Sequence, residues 1–123
     1  MTIQDVITLV DDLSPNQYTD NHKIQWLSSL DGKIFHDVIL THCGCMLYDY
    51  PDGGYTAADQ ELIVEEPYAS DLYVAYLQSK IAAANAEIVK YNQFATLYNT
   101  AYNEWTSWYN RTHMPKPSGK WVF

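Results

Sequence analysis

The chain has 123 residues, 47% of them hydrophobic, and sets 15 acidic side chains against seven lysines and arginines for a net charge of −8. That length and apolar share fit one folded domain with a modest core and exclude wholesale disorder. The acidity disfavours a basic track for tight binding to the outside of duplex DNA, and no window is long and apolar enough for a transmembrane helix.

The opening MTIQDVITLVDDL has no basic n-region and no cleavage site, so no secretory signal is expected. Thr2 and Asp5 have the spacing of a capping box, and Ile3, Val6, Ile7 and Val10 follow at helical steps. A first helix is predicted from Ile3 to about Leu13, broken by Ser14-Pro15-Asn16. Thr19 is the predicted N-cap of a second helix, with Asp20 in its first turn. Ile24, Leu27, Leu30, Ile34 and Val38 line one face of it. Gly32 interrupts that face, which implies either a break at Asp31-Gly32 or a close helix–helix contact.

From Thr41 to Glu66 the periodicity vanishes. Pro51, Asp52, Gly53 and Gly54 stand in succession, a strong turn signal, and the loop of residues 43–66 is long for a compact domain. Tyr48, Tyr50, Tyr55, Met46 and Leu47 suit docking against something. Leu62-Ile63-Val64 reads as a strand or a packed extended piece.

Residues 67–113 then carry Leu77, Ile81, Ala84, Ile88, Tyr91, Ala95, Tyr98, Tyr102, Trp105 and Tyr109 at alternating steps of four and three. Only a helix puts that spacing on one face. The helical region should start near Ser70, capped by Ser70 or Asp71, and break near Asn85 or Asn92. Rings with an apolar body and a polar tip suit a core, and they equally suit half-wet subunit contacts. The expected subunit or portal interface residues are Tyr91, Tyr98, Tyr102, Trp105 and Tyr109, joined by Trp121 and Phe123 of the tail. The fold expected is all-α: residues 1–113 as a small helical bundle, and 114–123 as an extended docking tail fixed by Pro115 and Pro117.

No catalytic constellation is found. Asp11-Asp12 and Glu65-Glu66 read as solvated charge at element ends, since sequence neighbours do not face each other on a helix. Phosphate-loop, nucleophile-elbow and zinc-helix motifs are all missing. His36, His42, Cys43 and Cys45 are the only metal-like cluster, but Cys-x-Cys has no second ligand pair at zinc spacing. Neither metal nor cofactor is expected, and two cysteines one residue apart fit a reducing compartment.

The order of features resembles the head–tail connector (adaptor, or head-completion) proteins of tailed bacteriophages and prophages. The likeness is carried by the Ser-Pro-Asn turn, Trp26-Leu27, Asp31-Gly32, the long loop and the Pro67-Tyr68 lead-in. It continues through Leu72 to Leu77, Tyr91-Asn92, Phe94, Tyr98-Asn99, Ala101-Tyr102 and Trp108 to Arg111, and so covers most of residues 2–113. The resemblance implies a helical bundle without enzymatic activity. It implies a homo-oligomeric, dodecameric ring under the portal protein, joined to a downstream neck, stopper or tail protein. Genome DNA would pass through the channel without tight binding. The place would be the virion neck, and the host cytoplasm during assembly. The residues leave a second reading open, a small acidic inhibitor that occupies a nucleic-acid-binding site on a partner.

Overall fold

The computed structural model describes residues 1–42, 48, 50, 51 and 53–113. The chain is a helical bundle of α1 (Ile3–Leu13), α2 (Asp20–Asp37), α3 (Tyr68–Ala84) and α4 (Ile88–Thr112), with one 3₁₀ turn, Ile39–Thr41, after α2. No β-strand forms among the described residues; an isolated antiparallel bridge joins Thr2 to Glu61. Cys43, Cys45, Met46, Leu47, Asp52 and the whole 114–123 tail, with Trp121 and Phe123, lie outside the described residues.

Local signals set the first two helices. The Asp5 amide donates to Thr2 Oγ1 at 3.2 Å, and the Thr2 amide donates to Asp5 Oδ2 at 3.1 Å, a closed capping box. Those bonds hold the Asp5 carboxyl below its ordinary range. Thr19 caps α2 through the His22 amide. Between them Asn16 accepts from the Tyr18 amide and donates to Asp11, making the predicted breaker an ordered turn. Lys23 buries its side chain to 3% exposure and reaches Asp11 at 2.6 Å. Asp11 keeps 44% of its side chain exposed, as the sequence suggests, and is in addition the partner of a buried lysine.

Helix α2 runs unbroken through Gly32, and no second helix crosses there. A Cβ at Gly32 would stand 3.1 Å from the hydroxyl of Tyr50, so the glycine admits a ring from the loop. Helix α3 starts two residues earlier than the side-chain caps imply. The Tyr68 and Ala69 amides both bond the Glu65 carbonyl at 3.0 Å, and Pro67 stands at the cap position. Ser70 turns its hydroxyl back to Glu66 instead.

Helix α3 is the central element. It buries Ala69, Leu72, Tyr73, Ala75, Leu77, Ile81 and Ala82 around most of its circumference, as a helix packed on two sides must. Helices α1 and α2 cover one side of it. Helix α4 returns antiparallel along the other and packs on no other helix. The reversal falls at Asn85–Glu87, the first of the two expected break points. Ala86 takes φ +58°, its amide bonds the Ala83 carbonyl at 3.1 Å, and the Glu87 amide bonds the Ala82 carbonyl at 2.9 Å. These paired bonds are a Schellman stop, with alanine where glycine is usual. Tyr18 and Gln17 both donate to Asn85 Oδ1, which ties the elbow to the turn before α2.

Candidate interaction surface and the buried polar centre

Two places in this fold carry chemistry beyond ordinary packing. The first is enclosed. Asp31, wholly buried on α2, accepts from the Tyr55 hydroxyl at 2.6 Å, the Ile63 amide at 3.0 Å and the Tyr73 hydroxyl at 2.5 Å. Tyr73 in turn accepts from the Val64 amide at 2.9 Å. Burial pushes the Asp31 carboxyl up, and the three donors pull against that rise. Burial also pushes the Tyr73 phenol well up, aided by the Asp31 charge. A perturbed carboxylate can mark an active site. Here all its neighbours are protein donors and no solvent reaches it, so it works as a latch holding residues 55–64 onto α2 and α3. A second clasp stands beside it. Tyr50 donates to the Ser28 carbonyl at 2.7 Å, and Ser28 Oγ, 2.9 Å from the Tyr50 hydroxyl, accepts from the Tyr55 amide at 2.9 Å. Gly54, at φ +80°, lies so close to Ser28 that a Cβ would collide with its hydroxyl. The loop tyrosines thus dock on the chain itself. Leu62, Ile63 and Val64 form a packed extended piece, all three buried.

The second place is α4. Its aromatic residues form a ladder in which ring centroids lie 5.2 Å apart from Tyr76 to Tyr98, then 5.9 Å to Tyr102, 6.3 Å to Trp105 and 5.3 Å to Tyr109. Tyr109 stacks on His113 at 3.9 Å, and His42 meets its edge at 4.9 Å. This ladder corrects two of the expected interface residues. Trp105 and Tyr109 have no exposed area, because α4 runs past the start of α3 and packs them against residues from the loop side of the core. Tyr98 and Tyr102 are half-buried, and burial pushes both phenols up. Only Tyr91 of the described set is exposed.

What α4 does present was visible only in part in the sequence. Ile88 and Val89 are each 72% exposed and Leu97 is 58% exposed. Ile88 shared the stripe with Ile81 and Ala84, but the elbow resets the helical phase and turns it outward. The remaining outer positions are Asn92, Gln93, Thr96, Asn99, Thr100, Asn103 and Ser107, and charge appears along the helix only at Lys90, Glu104 and Arg111. An acidic molecule therefore shows one long face that is nearly uncharged, with Ile88 and Val89 at its elbow end and Leu97 on the flank toward α1.

Neither place offers a metal centre. No group of three or more histidines, cysteines or acids stands close enough to hold an ion among the described residues. His42 spends its ring on hydrogen bonds, with Nδ1 2.7 Å from the Val38 carbonyl and Nε2 2.7 Å from the Asn110 side-chain amide. His36 is exposed. Glu65, which the sequence suggests is solvated, keeps both carboxylate oxygens out of solvent. Burial first, and then the nearby Glu65, pushes the Tyr48 phenol up. No described helix is long and apolar enough to cross a membrane. No family model, curated protein or solved structure matches the chain.

Proposed function

We propose that this chain is a structural assembly protein, and specifically a head–tail connector that forms a ring under the portal of a tailed phage. The observation that carries the assembly reading is the outer face of α4. Interface cores are depleted of charge and enriched in aromatic and apolar side chains, and Ile88, Val89 and Tyr91 among asparagines and threonines have that character. A ring needs two different complementary surfaces on each subunit, and a helix packed on only one side leaves one such surface free. The connector identity rests on the sequence resemblance, and the acidity of the chain supports it, because a channel wall should not grip the phosphates that pass it. The 114–123 tail, with Trp121 and Phe123, is the second docking element, directed to the portal or a neighbouring subunit.

Electron microscopy of the purified chain, alone and mixed with a portal assembly, tests this. Rings, free or seated on the portal, are the expected result. A monomer or dimer that ignores portals and instead binds a basic nucleic-acid-binding protein would replace the proposal with the inhibitor reading.

A further inference from the structure

Helices α1, α3 and α4 enclose a groove of about 480 Å³. Its floor is Val74, Ala75 and Ala101, its walls are Leu13 from α1 and Leu97 from α4, and Asp71 and Glu104 sit on its rim. Leu13 is 65% exposed, and the groove, whose apolar lining is interrupted by Ser70, Gln78 and Thr100, is uncovered by any described residue. A second depression shares Thr100 and Glu104 with the first and continues past Tyr68 and Ser107 to Arg111 in the last turn of α4. Together they make one trough that runs back from the C-terminal end of α4 toward its middle.

We propose that in the free chain this trough is the seat of the chain's own C-terminal segment, residues 114–123. Three observations support that occupant. The first is reach. Leu97 lies fifteen residues before Thr112, roughly 22 Å along the helix axis at 1.5 Å per residue. Nine residues in extended form, Thr112 to Trp121, span about 30 Å, which leaves slack for the reversal. The second is chemistry. The segment ends in Trp121-Val122-Phe123, the kind of bulky apolar anchor that an uncovered groove of leucine and valine accepts. The third is charge. The segment holds Lys116 and Lys120 and no acidic side chain, whereas the rim of the groove is Asp71 and Glu104. The seating needs no second molecule and stands apart from the connector reading. A portal or neighbouring subunit would compete for the same anchors.

Methyl-labelled full-length protein tests the seating by NMR. The methyl groups of Leu13, Val74 and Leu97 should show contacts to the Trp121 indole and shifts from its ring current, unchanged on dilution. The full-length Trp121→Ala/Phe123→Ala variant should lose those shifts while the Leu27 and Ile34 methyls, deep in the core, stay where they are. Lys116→Glu/Lys120→Glu should weaken them, as should raised salt. Groove methyls that are identical in the wild type and the alanine variant would overturn the proposal. Shifts that vanish on dilution would overturn it as well, because the occupant would then be the tail of another copy.

Discussion

At the scale of single residues, Asp31 has the largest consequences. Its three donors all need an acceptor, so an amide in its place must turn an N–H₂ toward at least one of them. Asp31→Asn should cost about 1–3 kcal/mol near neutral pH. The pH dependence has a definite sign. Burial raises the carboxyl of the folded chain above its unfolded value of about 3.9. Below that value both states are protonated, and the contribution of Asp31 is fully present. As pH climbs from there through the raised folded value, the unfolded chain gives up its proton first and stability is lost. Urea melts from about pH 4 to about pH 8 should therefore show the advantage of wild type over Asp31→Asn shrinking as pH rises. A constant gap would mean that Asp31 does not titrate differently on folding. This latch was not legible in the sequence, because its partners lie 24, 32 and 42 residues away. The capping box was legible, because Thr2 and Asp5 are three apart and the interaction is complete within one turn.

At the scale of elements, the α3–α4 hairpin shows both what periodicity can and cannot give. The break at Asn85 matches one of two expected positions, but the usual glycine marker is missing since Ala86 holds the left-handed position. That conformation costs a non-glycine residue roughly 1–2 kcal/mol. Ala86→Gly should thus raise stability by up to about 1 kcal/mol, after the extra entropy of an unfolded glycine is subtracted. Thermal melts would check this, and a destabilised variant would mean that the Ala86 methyl makes contacts worth more than the strain. Along α4 the same spacing of large rings serves two environments. Trp105 and Tyr109 are core while Tyr91 is surface, and no period distinguishes them, since burial depends on how far α4 outruns α3. The outer face gives a separable prediction. Ile88→Glu and Val89→Glu replace exposed side chains, so each should change stability by no more than about 0.5 kcal/mol. Each should nevertheless reduce ring or portal assembly by tenfold or more, read by mass photometry. Normal assembly by both variants would remove the outer face of α4 from the interface.

At the scale of the whole molecule, charge and cooperativity decide behaviour. Five described lysines and arginines are dispersed: Lys23 is spent on Asp11, Lys90 on Glu87 at 2.9 Å, Lys80 sits over the Tyr76 ring at 5.5 Å, Lys33 is exposed on α2, and Arg111 is on the last turn of α4. A gel shift at physiological salt should show no binding to random duplex DNA at micromolar protein, and sub-micromolar binding would contradict the channel-wall role. All-α class and two helix starts followed from local pattern. The bundle's arrangement did not, because Lys23, Ser28 and Asp31 look like ordinary polar residues of an exposed helix until the turn and the loop close over them.

That closure bears on how the protein meets proteases. A stretch such as Tyr55 to Val64, outside any helix, is where a nonspecific protease would normally cut first. Here its backbone bonds Ser28, Asp31 and Tyr73, all of them anchored in the core. A protease cannot take this stretch into its cleft without first pulling apart the contacts that hold α2 to α3. Cleavage there should accelerate with urea in step with global unfolding, as a site without a private opening route must. A chain exposed to proteases would in this way shelter residues 55–64 inside its own stability.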